Sequence, residues 1–158
     1  MIKILFVCHG NICRSPMAEF IMKDMVSKQD LSRQFFIASA ATSTEEIWNG
    51  VGSPIYPPAK AKLAEHGIDC RGKRAVQLVR ADYDKYDYLI GMDSANIRNM
   101  KRMLGGDTES KIFKLLSFAG SDHDIADPWY SGDFDTAYAD ILEGCKGLLH
   151  MLLQKGIF

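Results

Sequence analysis

The 158-residue sequence has no long apolar run, no excess charge of one sign and no internal repeat. Without an apolar run that approaches about 18 residues, no helix is expected to span a membrane. Lys and Arg number 19 against 20 Asp and Glu, a formal charge of −1. Proteins that bind nucleic acid irrespective of sequence need a basic surplus, so that class is disfavoured. The length favours one domain, residues 1–158.

Cysteine is scarce, with four residues: Cys8, Cys13, Cys70 and Cys145. Near the N-terminus only residues 4–7 form a continuous apolar run, which is too short for a secretory signal. We therefore expect a cytoplasmic protein whose cysteines are reduced thiols. No second Cys or His pair at zinc-ligand spacing accompanies Cys8 and Cys13, so no metal site is predicted.

Strand-like and helix-like patterns alternate along the chain. Short apolar runs predict strands at 1–8, 34–41, 86–92 and 111–116. Helical spacing of apolar residues predicts helices at 16–28, 59–66, 94–104 and from Phe134 through Leu152, with a stop at Gly156. Ser15 is expected to cap the first helix, with Pro16 at its first position. The segments 42–58 and 117–133 are predicted loops.

This alternation indicates βαβ units. The predicted fold class is α/β: a single-domain, three-layer fold with a four-stranded parallel sheet and helices on both faces. In such sheets ligands bind beyond the carboxyl ends of the strands. The loop Cys8 to Ser15 lies at that end of the first strand and is the candidate site.

The loop sequence CHGNICRS has the composition of an anion site. Backbone N–H groups in a tight Gly and Asn loop converge on one point, and the helix that follows adds positive potential. Arg14 adds a planar fork that suits two phosphate oxygens. Beside that fork and the helix N-terminus, the Cys8 thiol is expected to be a thiolate at neutral pH and a nucleophile toward phosphorus. No Lys follows Gly10, so this is not a Walker loop.

The string VCHGNICRSP makes the assignment specific, because the chain resembles the low-molecular-weight protein tyrosine phosphatase family over essentially its whole length. Further motifs that carry the resemblance are Trp48, His66-Gly67-Ile68, Met92-Asp93 with Asn96, and Asp127-Pro128-Trp129. The resemblance implies a flavodoxin-like sheet of the phosphotyrosine protein phosphatase I type. It also implies that neither a metal nor another cofactor is used.

The resemblance also implies roles for individual residues. Cys8 is the nucleophile, Arg14 clamps the phosphate and Asp127 is the general acid. Ser15 donates a hydrogen bond to the thiolate. Asn11 holds the loop in a strained form, which fits the tolerance of Asn for left-handed backbone. The rest of the phosphate-binding loop is His9, Gly10, Ile12 and Cys13.

Several of these residues also have plainer interpretations. Cys13 is either a thiol that captures oxidised Cys8 as a disulfide or a small filler at the base of the loop. Asp127, with Asp122 and Asp124 nearby, also fits a solvated turn. Three aromatic residues are expected to line the substrate pocket, although each also fits an ordinary half-buried position: Trp48, Trp129 and Tyr130.

The sequence departs from the family in three places. The loop 42–52 is about three residues longer. Tyr56-Pro57-Pro58-Ala59 stands where the family has Asp-Pro-Arg-Ala, so an acid and a base that brace the loop are missing. Gly72 lies near the place where the family often has a His that supports the loop Asn. Support for Asn11 is therefore expected from elsewhere.

The sequence thus predicts a metal-independent protein tyrosine phosphatase. Its substrates are expected to be phosphotyrosine proteins, with a tyrosine kinase among them by analogy. Neither nucleic acid nor a membrane is an expected partner, and the protein is expected to be a monomer or a weak dimer.

Three other functions compete with this prediction. Related arginine phosphatases carry Thr where this chain has Ile12. An arsenate reductase needs two close cysteines in the 80s, but no cysteine lies between Cys70 and Cys145. A binding module without catalysis is expected to lack the acid or the nucleophile, and both are present.

Overall fold

The computed structural model describes residues 1–156, and the last two residues of the predicted domain lie outside them. The strands in this part are β1 (Ile2–Cys8), β2 (Phe35–Ala41), β3 (Ile47–Trp48), β4 (Val51–Gly52), β5 (Tyr88–Gly91) and β6 (Ile112–Lys114). The helices are α1 (Arg14–Lys28), α2 (Pro57–Glu65), α3 (Asp82–Lys85), α4 (Ser94–Leu104), α5 (Pro128–Ser131) and α6 (Phe134–Gln154). Two 3₁₀ turns lie at Ser32–Gln34 and Leu115–Ala119.

Four parallel strands form the main sheet in the order β2-β1-β5-β6. Six of the seven β1 residues are buried, as expected of a central strand that is covered on both faces. One face packs against α1 and α6, and the other packs against α4. The predicted three-layer α/β fold is therefore confirmed. In this fold the carboxyl end of the central strand β1, at Cys8, lies at the end of the sheet where the parallel strands finish.

The predicted start of the first helix is wrong. The helix begins at Arg14, the Met17 N–H donates to the Cys13 carbonyl oxygen at 3.1 Å, and Cys13 rather than Ser15 occupies the N-cap position. The Ser15 hydroxyl instead contacts Cys8 and Asn11. Pro16 is tolerated inside the first turn, because an N–H there has no partner within the helix.

The segments predicted as loops contain short elements. Strands β3 and β4 pair as a hairpin inside 42–58, and α2 begins within the same segment. The hairpin packs closely on the chain beside it, because any side chain at Gly52 would overlap the Ala75 carbonyl oxygen. The segment 117–133 contains α5 and most of a 3₁₀ turn. Among residues 1–156, no helix combines the length and apolarity needed to cross a membrane.

Candidate active site

Residues of the loop between β1 and α1 line a pocket. Among the hydrogen bonds of residues 1–156, none is donated by the backbone N–H groups of residues 9–13. Asn11 has a φ of 58°, which confirms the predicted left-handed backbone. Unpaired amides in such a loop, followed by a helix N-terminus, favour an anion.

Cys8 ends β1 and is 3% exposed. Its Sγ lies 3.0 Å from Ser15 Oγ, and the Ser15 backbone N–H donates to it at 3.4 Å. The structure thus brings the sequence-predicted nucleophile and its hydroxyl partner together.

Arg14 is buried at 2% exposure and is held by groups from distant parts of the chain. Its Nη1 donates to Asp93 Oδ2 at 2.7 Å and to the Ile125 carbonyl oxygen at 2.8 Å. Burial lowers the pKa of Arg14, but the charges of Cys8, Asp93 and Asp127 more than offset this, and the net shift is upward. The guanidinium is therefore a permanent cation in a fixed orientation.

Asp93 orients Arg14, a role that was not predicted from the sequence. Asp93 caps α4 in a capping box with Asn96. Its Oδ1 accepts from the Asn96 N–H while Oδ2 accepts from Arg14. The Asp-x-x-Asn spacing signals the cap, but the sequence does not show which cation the second oxygen meets.

Asp127 lines the same pocket as Cys8 and is the N-cap residue of α5. Its Oδ1 accepts from the Trp129 N–H at 3.0 Å, and its Oδ2 lies 3.5 Å from Arg14 Nη2. The side chain is 24% exposed, so it reaches both the guanidinium and the solvent. This position suits a group that exchanges a proton with a leaving group or with water.

One pocket gathers most of the predicted residues. It is lined by Cys8, His9, Gly10, Ile12, Cys13, Arg14, Glu45, Glu46, Asp127, Trp129 and Tyr130. Two further loop residues, Asn11 and Ser15, are buried beneath it. Trp48 is 75% exposed and outside this lining, so its role in the pocket stays a prediction. No group of three or more metal-ligating side chains forms a metal site within residues 1–156.

Two acids of the long 42–52 loop were not among the predicted site residues. Glu45 and Glu46 reach the mouth of the pocket, and Glu45 Oε2 lies 3.0 Å from His9 Nε2. The hairpin β3–β4 sets their position, since the Ser53 N–H donates to the Glu46 carbonyl oxygen. The sequence shows two acidic residues in this loop, but it does not show that they line the same pocket as Cys8.

Aromatic packing braces the pocket wall where the acid and base of the family are missing. The Tyr56 ring lies 4.6 Å from the Trp129 ring, centroid to centroid, and 6.1 Å from the Phe134 ring. Trp129 is nevertheless 52% exposed and Tyr130 is 83% exposed. Tyr56 therefore packs against the Trp129 ring, while much of the aromatic surface of Trp129 and Tyr130 stays open to solvent.

Cys13 lines the same pocket as Cys8 and is 4% exposed. Burial, and next the charge of Cys8, raise the pKa of Cys13 to about 12. Cys13 is therefore a thiol at neutral pH.

Comparison with known proteins gives a consistent result. Residues 3–156 match the family model for low molecular weight phosphotyrosine protein phosphatase. The chain is 38% identical over 157 residues to low molecular weight protein-tyrosine-phosphatase YfkJ of Bacillus subtilis, with 98% of each chain covered. The crystal structure of YfkJ has a TM-score of 0.91 at 37% identity, covering 98% of this chain and 96% of that one.

Two further solved structures are similar. SP-PTP, a low molecular weight protein tyrosine phosphatase from Streptococcus pyogenes, has a TM-score of 0.83 at 40% identity and covers 96% of this chain and 93% of its own. DARP, a Drosophila arginine phosphatase, has a TM-score of 0.85 at 33% identity and covers 96% and 98%.

These relatives are named as protein-tyrosine or arginine phosphatases. The protein is an enzyme of the phosphoric monoester hydrolase class. Within that class, the chain belongs to the low molecular weight protein tyrosine phosphatase family.

Proposed function

We propose that this enzyme hydrolyses phosphotyrosine in proteins through a phosphocysteine on Cys8. The observation that carries the proposal is the grouping of Cys8, Arg14 and Asp127 around one pocket, where the N–H groups of residues 9–13 donate to no group within residues 1–156. A phosphate in that pocket meets positive potential from the loop and the guanidinium. It also meets a nucleophile and a proton donor.

In the first step the Cys8 thiolate attacks phosphorus in line with the phenolic oxygen. The S–P bond forms, the P–O bond to tyrosine breaks, and Asp127 gives its proton to the departing oxygen. The loop amides and Arg14 hold the three equatorial oxygens, where negative charge is concentrated in the transition state.

In the second step water hydrolyses the phosphocysteine. Asp127, now a carboxylate, takes a proton from the water while the water oxygen bonds to phosphorus. The S–P bond breaks and its electron pair returns to Cys8 as the thiolate. Inorganic phosphate leaves, and the protonated Asp127 is ready for the next cycle.

A panel of matched phosphopeptides tests the substrate class. Peptides that carry phosphotyrosine, phosphoserine or phosphoarginine are compared by kcat/KM with a chelator present. Phosphotyrosine should be the best substrate. The open aromatic face of Trp129 suits a phenyl ring, and a phosphoserine must reach the loop on a much shorter side chain. Faster hydrolysis of phosphoarginine would reassign the substrate.

Ile12 is expected to disfavour phosphoarginine. Its branched side chain lines the pocket and has no hydrogen-bonding group, so guanidinium donors near it would stay unpaired. An unpaired buried donor costs about 1–3 kcal/mol. The Ile12→Thr variant should therefore move the ratio of phosphoarginine to phosphotyrosine kcat/KM upward by roughly tenfold.

Ile12→Val is the matched control for this change, because it keeps a branched apolar side chain of similar shape. It should leave the substrate ratio at the wild-type value. An equal shift in the Val and Thr variants would assign the effect to packing and remove the specificity role of Ile12.

Cys13 is expected to protect Cys8 from irreversible oxidation. Peroxide reacts with thiolates, so Cys8 rather than the protonated Cys13 becomes the sulfenic acid. The Cys13 thiol then condenses with it, forming the S–S bond and releasing water. Peptide mapping after mild peroxide should find Cys8 linked to Cys13, with activity restored by dithiothreitol. Higher pH should speed closure, because more Cys13 is ionised as pH approaches its raised pKa.

The Cys13→Ser variant should instead accumulate sulfinic acid at Cys8 and fail to recover. Cys70→Ser, which changes a buried thiol outside the pocket, should recover as the wild type does. Equal recovery in all three proteins would reduce Cys13 to a packing residue.

A further inference from the structure

A chain of buried polar side chains leads from the loop to a lysine that the proposed mechanism does not use. Asn11 and Ser39 are each 1% exposed, and Glu19 is 4% exposed. The Lys73 ammonium donates to the Ser39 carbonyl oxygen at 3.0 Å and lies 3.5 Å from Glu19 Oε1. The Lys73 side chain is 12% exposed. Lys73 is the cation nearest Glu19 Oε1, the oxygen that accepts from Ser39, whereas Lys23 contacts Glu19 Oε2.

The orientation of the Asn11 amide determines which groups donate and which accept in this series of hydrogen bonds. The Val76 backbone N–H donates to Asn11 Oδ1 at 3.0 Å, so this oxygen is the acceptor. Asn11 Nδ2 then donates its two hydrogens, one to Ser15 Oγ at 2.7 Å and one to Ser39 Oγ at 2.9 Å. Each hydroxyl oxygen accepts from Asn11 and keeps its own proton for another partner.

The two hydroxyl protons point to opposite ends of the chain. Ser39 donates to Glu19 Oε1 at 2.6 Å. In the thiolate form that the proposed function requires, Cys8 Sγ can only accept, so the Ser15 hydroxyl donates to it across 3.0 Å. The chain therefore ends in a donor to sulfur on one side and in a carboxylate acceptor on the other.

We propose that Lys73 is a positioning residue for the nucleophile. By compensating the Glu19 carboxylate, it lets Ser39 and Asn11 hold the loop in its left-handed form, with the Ser15 proton directed at Cys8. Lys73 lies outside the pocket lining and acts through these side chains and its charge. One position after Gly72, it supplies the support for Asn11 that a glycine cannot give. The proposal rests on the proposed function, in which Cys8 is the nucleophile.

Two lysines contact the Glu19 carboxylate, each at a different oxygen: Lys23 at Oε2 and Lys73 at Oε1. Lys23, on α1, also contacts Glu19, but it does so from the surface and is 44% exposed. Burial lowers the pKa of Lys73, and Glu19 opposes that shift. The other titratable or charged groups that line the pocket with Cys8 are His9, Cys13, Arg14, Glu45, Glu46, Asp127 and Tyr130.

The test is the pH dependence of Cys8 alkylation by iodoacetamide, followed by peptide mapping. Lys73→Met leaves Glu19 Oε1 without its cation, so the Ser15 proton should be less well directed at Cys8 and the pH midpoint of alkylation should rise by about half a pH unit or more. The kcat/KM for a phosphotyrosine peptide at neutral pH should fall by roughly tenfold, because the loop is less well held. Lys73→Arg, which keeps the charge, should return both values toward the wild type. Lys101→Met, on the exposed side of α4, should change neither.

A second comparison covers the case in which Lys73→Met does not fold. In a Glu19→Gln background the buried carboxylate no longer needs a cation, so the double variant with Lys73→Met should fold and should keep the alkylation midpoint of Glu19→Gln alone. An unchanged midpoint with unchanged kcat/KM in folded Lys73→Met, or a midpoint in the double variant well above that of Glu19→Gln alone, overturns the role of Lys73. Alkylation needs no substrate, so this failure is separate from a failure of the phosphotyrosine assignment.

Discussion

The Cys8→Ser variant is expected to lose about 10³-fold or more in kcat/KM for phosphotyrosine peptides. The serine hydroxyl is not ionised at neutral pH, so no anion is available to attack phosphorus. Steady-state kinetics over a wide range of enzyme concentration checks the loss.

The loss should come from chemistry and not from the fold. The hydroxyl introduced by this substitution can keep the contacts that Cys8 makes with the Ser15 hydroxyl and N–H. The loop amides and Arg14 are unchanged, so inorganic phosphate should still raise the melting temperature of the variant. Cys70→Ser, which changes a buried thiol outside the pocket, should keep full activity. Undiminished turnover in Cys8→Ser would rule out a phosphocysteine.

The Asp127→Asn variant is expected to lose about 10²–10⁴-fold with phosphotyrosine, because the departing phenolate receives no proton. An Asn side-chain oxygen can still accept from the Trp129 N–H, so α5 keeps its cap. The loss should shrink for aryl phosphates whose phenols are acidic enough to leave as anions. A series of leaving groups measured by kcat/KM checks this dependence.

Asp122→Asn provides the matched control for this series. Asp122 lies in the same segment but outside the pocket lining, and its replacement should leave the activity at the wild-type level. An equal loss for every leaving group in Asp127→Asn would assign Asp127 to binding, through its contact with Arg14, and not to proton transfer.

The parts of the fold that were predictable depend on local pattern. The apolar run of β1, the tight loop after it and the periodic face of α6 each follow from residues close together in the chain. The bounds predicted for α4, residues 94–104, match the structure. The left-handed backbone at Asn11 is confirmed for the same reason, since Asn tolerates that conformation locally.

The parts that were not predictable depend on contacts between distant segments. The Ser15 hydroxyl was expected to cap a helix, but it contacts Cys8 and Asn11 instead. Local propensity cannot show that competition, because it depends on how the loop closes. Arg14 and Asp93 are 79 positions apart, and nothing in either neighbourhood signals the other.

The aromatic and acidic residues around the pocket could not be predicted from the sequence for a related reason. Tyr56 appeared only as a departure from the family, and its packing on Trp129 depends on how α5 lies against the start of α2. Glu45 and Glu46 face the pocket because of the hairpin β3–β4, and two strands of two residues leave little periodic signal.

The most direct test of the account is to trap the phosphoenzyme. The Asp127→Asn variant lacks the base for the second step but can still react with an aryl phosphate whose phenol is acidic. Rapid quench with this labelled substrate should give a burst of bound phosphate that approaches one per enzyme molecule, and peptide mapping should locate it on Cys8. The same burst should be absent in the double variant with Cys8→Ser. Phosphate on another side chain such as His9, or turnover with no bound phosphate at any time, would contradict the mechanism.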